Sequence, residues 1–221
     1  MSAAATLATL LGSHLNAVPS FGKSQSANAE DEAESQPVRP AAVLVPVLPR
    51  GNDVTLLFTQ RAPDLAYHAS QVSFPGGQVE TTDTDYITTA LRELREEIGI
   101  ESHFVNIAGA LNTYQTGTGF QVVPIVGVID DGYRLRVDPS EVQAIFEIPL
   151  SYLLDASRYE RRPWIDQGVT RHFHAIEFPP YLIWGATAAM LVDLRRRVTE
   201  TNGNFEKIAS MYKEKLRFPE K

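Results

Sequence analysis

The chain has 221 residues, 43% hydrophobic and 21% charged, the profile of an ordinary folded protein rather than a disordered or membrane-embedded one. Its formal charge of -7 supplies no overall positive field to hold phosphates non-specifically, so nucleic acid is excluded from the expected partners. Cysteine is absent, which rules out both a disulfide framework and thiol catalysis.

Along the chain, Ala3 to Leu15 is apolar, but it is too short to span a bilayer and no Lys or Arg precedes Lys23. It reads as a short helix or tail rather than a targeting segment. Val18 to Pro40 shifts to Ser, Ala, Glu, Asp and Pro and reads as a flexible linker. Ala41–Leu48 and Val54–Gln60 are rich in Val and Leu and flank the turn cluster Pro49-Arg50-Gly51-Asn52-Asp53, which predicts a β-hairpin. Paired glycines in Pro75-Gly76-Gly77 permit a tight turn and the close approach of a ligand.

From Tyr86 to Ile98 the residues Ile87, Ala90, Leu91, Leu94 and Ile98 recur at helical spacing and predict one buried stripe. Asp83 or Asp85 suits its start and Gly99 its end. Strands are expected at Phe104–Leu111, Phe120–Ile129 and Thr170–Phe178, and a helix at Gly185–Val198. The order predicts an α/β (α+β) fold, a mixed sheet flanked by helices.

Chemistry concentrates on the helix after the glycine turn. Glu93, Glu96 and Glu97 stand at i, i+3 and i+4, so their carboxylates share a face. Two such charges about 6 Å apart repel by roughly 3 kcal/mol at an effective dielectric near 20. A bound cation reverses the sign of that interaction, and Mg²⁺, which prefers oxygen ligands and is held jointly by carboxylates and substrate phosphates, suits the set. The competing reading is a solvated helix face in which Arg92 pairs with Glu96.

The segment Arg92-Glu93-Leu94-Arg95-Glu96-Glu97-Ile98-Gly99-Ile100 resembles the helical half of the Nudix box, REUxEExGU with U aliphatic, at every fixed position. The resemblance implies a Nudix fold, an α/β/α sandwich with a mixed β-sheet, and metal-dependent hydrolysis of a diphosphate linkage. It assigns Glu93, Glu96 and Glu97 to Mg²⁺ or Mn²⁺ and Arg92 to orienting a Glu. A backbone carbonyl at Gly77 or Gln78 is the further implied metal ligand. The upstream half departs from the commonest pattern: Gln78 and Thr84 stand where Gly and Glu are usual, with Gly77 and Asp85 one place away.

That shift resembles the coenzyme A pyrophosphatase branch. So does Leu57-Phe58-Thr59-Gln60-Arg61-Ala62, continuing to His68, Gln71-Val72 and Phe74-Pro75-Gly76-Gly77, although the branch's second Arg falls at Ala66 and its Gly at Ser70. The implied substrate is coenzyme A or an acyl derivative, giving 3′,5′-ADP and a 4′-phosphopantetheine product. Alternatives are another nucleoside diphosphate derivative, such as ADP-ribose or a dinucleoside polyphosphate, or a module that senses a nucleotide without cleaving it.

Among further candidates, Glu141 is an additional acid for metal or general base, with Glu147 in the same capacity. Arg61 and His68 are candidates for substrate contact beside Gly76 and Gly77, as an Arg at a strand end and a His near the glycine loop. His172 and His174 share a strand face but lack a third metal ligand, and Tyr114, Tyr181 and Trp184 are either core or a base-stacking surface. Arg195-Arg196-Arg197 suits the negative end of the last helix. The expected organisation is a flexible extension over 1–38, the catalytic domain over 39–200 and a C-terminal extension over 201–221. The expected setting is cytoplasmic, with a small nucleotide-type substrate, no membrane partner, and a homodimer left open.

Overall fold

Three prolines lie in the strand that organises the molecule, and one of them explains where the site opens. In the computed structural model, which describes residues 2–21, 38–51, 53–64, 69–166 and 168–200, β1 (Arg39–Arg50) pairs along one edge with β7 (Phe120–Ile129) in parallel, from Arg39 opposite Phe120 to Val47 opposite Val128. Along its other edge it has two successive antiparallel partners. β2 (Asp53–Arg61) matches residues 47–50, and β4 (Gly76–Gln78) matches residues 41–43. Pro46, which has no N–H to donate, falls in the gap between them. β8 (Val142–Pro149) covers the other edge of β2 from Thr55 to Arg61, and beyond the gap β2 leaves β1 and pairs with β3 (Val72–Ser73), so the glycine loop enters between the splayed strands.

Alternation along β1, β2 and β7 sends the apolar residues to two faces. Ala42, Leu44, Leu48, Leu57, Val123, Ile125 and Ile129 meet α2 (Tyr86–Ile98) through Tyr86, Ala90, Leu94 and Ile98. On the opposite face Val45, Val47, Leu56, Phe58, Val126 and Val128 join residues of α1 (Ala3–Gly12), α3 (Leu150–Leu154) and α4 (Gly185–Glu200). β5 (Val105–Ala110) and β6 (Tyr114–Gln115) pair with β7. A separate antiparallel sheet in the order β11 (Tyr181–Trp184), β10 (Val169–Phe178), β9 (Tyr159–Asp166) joins the second face through Ile176 and Ile183. The result is the expected mixed sheet between helices.

The expected hairpin, the strands at 120–129 and 170–178, and the last helix all appear within one or two residues of the sequence reading. β8, β9, β11 and α3 lie where no element was assigned. Of the described residues, no helix is long and apolar enough to cross a membrane.

Of the two readings of the apolar start, short helix or tail, α1 is the helix. The described part of the N-terminal extension, residues 2–21, is not a free tail: Leu7 and Leu11 on α1 are each 1% exposed in the second core. Asn16 bridges Ala110 on the edge strand β5, with the two backbone N–H···O bonds at 2.9 Å. Arg197 of α4 fastens the segment by donating to the Asn16 side chain at 3.1 Å and to Asn112 at 2.7 Å, while Asp193 accepts from Arg197 and Asn112 at 2.9 Å each. These contacts give the basic C-terminal turn of α4 a structural task. Leu7→Ala is expected to cost about 2–4 kcal/mol in denaturant titration; a change below about 0.5 kcal/mol would show that α1 is not part of the cooperative unit.

Candidate functional site

Helix α2 begins where Asp85, with extended backbone, accepts from the Thr88 N–H at 2.7 Å, and it ends at Gly99 in the left-handed conformation, φ 77°. These are the expected N- and C-terminal signals. Its buried face is wider than the aliphatic stripe, for it includes Tyr86, Thr89 and Glu97 while Ile87 and Leu91 are only half buried. The site follows from that rotation: Glu97, 2% exposed, points inward at the glycine loop.

Three glutamates of α2 therefore occupy three environments. Glu97 Oε1 accepts from the Gly76 N–H at 3.4 Å and lies 3.9 Å from the Arg61 guanidinium, and its Oε2 is buried without a hydrogen-bond partner. Burial raises its carboxyl to about 8; the Gly76 N–H and Arg61 oppose that rise, and the charges of Glu93 and Glu141 add to it. Glu93, with 13% of its side chain exposed, accepts from Arg92 Nη1 at 2.8 Å. Its carboxyl is raised by burial and by the neighbouring charges of Glu96 and Glu141, against the lowering effect of Arg92. Glu96 is half exposed and takes a 3.1 Å bond from the same Arg92 nitrogen.

Arg92 is itself locked. Its Nε and Nη2 bond the two oxygens of Asp83 at 3.1 and 3.0 Å, and Nη2 also reaches the Gln78 carbonyl at 2.9 Å. Asp83, its side chain 1% exposed, would be raised by burial, but Arg92, the Glu80 N–H and Thr89 bring it below the usual carboxylate range. Sequence reasoning weighed Asp83 only as a helix cap and missed this role. The signal was available in the pair Asp83 and Asp85, of which the helix uses one.

The glycine loop fits against these side chains with no room to spare. A Cβ on Gly77 would strike the Glu93 carboxylate, and one on Gly76 would come within 2.5 Å of the Ala42 carbonyl. Leu44 N–H to Pro75 O and Val79 N–H to Pro40 O set the alternation of the β1–β4 ladder. That alternation turns the N–H and C=O of Gly77 toward Ala42 and those of Gly76 and Gln78 toward α2. With the Gln78 carbonyl taken by Arg92, the backbone carbonyl left facing α2 is that of Gly76, whereas the expectation was Gly77 or Gln78.

Glu141, whose carbonyl accepts from the Ala62 N–H at 2.8 Å, is brought close enough to act electrostatically on Glu93 and Glu97. Glu147 is not. It accepts from Arg50 at 2.9 and 2.5 Å and from Thr55 at 2.5 Å, an arrangement that lowers its carboxyl and gives it a structural role. Arg61 joins the site, while His68 and Ala66 lie outside the described residues.

Tyr181 stacks on Phe146 with centroids 3.6 Å apart, so one ring face is used in packing, and Tyr114 packs against the second core. Trp184 is 37% exposed. The face of β10 that carries His172 and His174 presents Pro163 and Arg161 opposite them on β9, not a third ligand.

A hard divalent cation fits this donor set. Glu97 has a buried oxygen without a partner, two more carboxylates act on it electrostatically, and only Arg61 and one long amide bond compensate. Among the described residues no three His, Asp or Glu side chains already stand together as a finished metal cage. Arg92 holds Glu93 and Glu96 at a shared nitrogen.

A family model described as the NUDIX domain matches residues 38–167. The "Uncharacterized Nudix hydrolase NudL" proteins of Salmonella paratyphi B and Salmonella newport are each 41% identical over 160 residues, covering 72% of this chain and 83% of theirs. A MutT Nudix hydrolase from Burkholderia pseudomallei superposes with a TM-score of 0.46 at 17% identity, over 72% of this chain and 98% of its own.

Proposed function

The chain belongs to the Nudix hydrolase family, and on that premise we propose that it hydrolyses the diphosphate linkage of coenzyme A or an acyl-coenzyme A, giving 3′,5′-ADP and a 4′-phosphopantetheine product. The observation that carries the reaction type is Glu97, buried between the Gly76 N–H and Arg61 with one oxygen left unsatisfied. Glu93, Glu96 and Glu97 with the Gly76 carbonyl hold Mg²⁺ or Mn²⁺, and Glu141 is a further acid at the same place. The ion supplies charge neutralisation on the diphosphate and a more acidic attacking water. Arg92, clamped by Asp83, keeps Glu93 in position, and Arg61 meets a phosphate oxygen. The catalytic domain is proposed to extend through α4 and to include the docked segment 2–21.

Support for the substrate comes from the upstream signature. The glycine of that signature is replaced here by Ser70, which is the one non-glycine residue with positive φ, 58°, among the described residues. A backbone shape natural to glycine is thus kept in spite of the side chain. Arg61 N–H bonds the Gln71 carbonyl at 2.9 Å, so the same loop fixes the start of the proposed phosphate contact.

Incubation with Mg²⁺ and, separately, coenzyme A, acetyl-coenzyme A, ADP-ribose and diadenosine tetraphosphate tests the reading. Appearance of 3′,5′-ADP at the highest kcat/KM of the set is expected. Intact coenzyme A beside rapid turnover of ADP-ribose or the dinucleotide would reject the substrate and retain the reaction type.

A further inference from the structure

Arg61 differs from Arg92 and Arg50, which each grip an acid in this protein. Arg92 grips Asp83 through two bonds of 3.1 and 3.0 Å, and Arg50 grips Glu147 through two of 2.9 and 2.5 Å. Arg61 faces Glu97, which is 2% exposed, yet its Nη1 stops 3.9 Å from Glu97 Oε1, beyond hydrogen-bond range. Its Nε is buried with no acceptor, and Glu97 Oε2 is buried with no donor. The backbone is not the slack element: Arg61 follows a bulge in the β2–β8 pairing and its N–H is held by Gln71. The donor and the acceptor that lack partners belong to two side chains already side by side, and a pair selected for stability would have closed that contact.

We propose that Arg61 is a placeholder counter-ion, which stands opposite the ionised form of Glu97 until a divalent cation takes that carboxylate and then offers its guanidinium to the phosphate oxygens of the substrate. The idea rests on the reading of Glu97 as a metal ligand. It goes beyond that reading in giving Arg61 two opposed effects, against the metal and for the substrate. Loss of its charge should tighten one ligand and loosen the other, whereas a merely structural arginine would affect both in the same direction.

Calorimetric titration of the full chain with Mg²⁺ alone, repeated over a series of pH values so that proton competition at Glu97 is separated from metal affinity, would compare the wild type with Arg61→Gln and Arg61→Lys. Arg61→Gln is expected to bind Mg²⁺ about tenfold more tightly, about 1.4 kcal/mol, and Arg61→Lys to stay near the wild type. With Mg²⁺ saturating, a methylene analogue of ADP should bind Arg61→Gln about tenfold more weakly. Equal or weaker Mg²⁺ binding by Arg61→Gln overturns the placeholder role, and if Glu97→Gln abolishes uptake in the same series the metal reading survives. No uptake by the wild type overturns both. Should Arg61→Gln lack a cooperative melt, Arg61→Met, which keeps the aliphatic stem, takes its place with the same expected outcomes.

Discussion

Glu97→Gln is expected to lower turnover by about 10³-fold, on the scale of removing a principal charge contact from a transition state, and at the same time to make the metal-free protein more stable. The two effects share a cause. Glu97 is 2% exposed, has an oxygen without a partner, and feels the charges of Glu93 and Glu141. A glutamine keeps the acceptor for the Gly76 N–H and replaces the stranded oxygen by a donor that neighbouring carboxylates can accept. We expect a gain of about 1–2 kcal/mol, or roughly 2–8 °C in Tm for a domain of this size.

The pH dependence gives the sharper test. The Glu97 carboxyl is raised from its ordinary 4.5 to about 8, so the folded state holds its proton more tightly than the unfolded chain does. The stability that depends on this proton is complete below about 4.5 and is lost as pH rises through about 8. The advantage of Glu97→Gln over the wild type should therefore be small at pH 4.5 and largest near pH 8.5. Saturating Mg²⁺ should restore the wild type and leave the variant unmoved. An advantage constant across that range would mean that Glu97 does not carry a proton in the metal-free fold.

How much of this was legible in the sequence depends on how local each cause is. The glutamate spacing and the Gly99 terminus are settled within one helix and were read from the residues, and the cap was narrowed to Asp83 or Asp85, of which the helix uses Asp85. Glu97 pointing inward was not read, because hydrophobic periodicity counts aliphatic residues and the buried face of α2 also contains Thr89 and a carboxylate. Only the arrival of Gly76 from another strand gives that carboxylate a donor. β8 was passed over because Gln143 and Glu147 interrupt its apolar run, and Glu147 is made tolerable there by Arg50, 97 residues away.

The N-terminal helix was read only as far as its apolar composition. What fixes it comes from distant parts of the chain: the core that buries Leu7 and Leu11, the bridge from Asn16 to Ala110, and the bond between Asn16 and Arg197, 181 residues apart. Asp83 shows the opposite limitation: its sequence neighbourhood offered a sufficient local role as a cap, which concealed the longer reach to Arg92.

The adjacent glycines should separate catalysis from folding. Gly77→Ala is expected to leave stability within about 1 kcal/mol, since the atoms its methyl group meets are the end of the flexible Glu93 side chain, and Ala lowers the entropy of the unfolded chain. Turnover should nevertheless fall by about 10²-fold or more, because Glu93 can retreat only by abandoning its 2.8 Å contact with Arg92 and the space beside Gly76.

Gly76→Ala is a different case. Its methyl group would meet the Ala42 carbonyl oxygen and, at 2.6 Å, the Val43 Cα, backbone atoms of a strand held by β7 along its other edge. These backbone atoms cannot rotate away as a side chain does, and a loss of about 3 kcal/mol is expected from the overpacking. Urea titration and kcat on the same two variants distinguish the cases. Full activity in Gly77→Ala would show that the observed position of Glu93 is not the one from which it works.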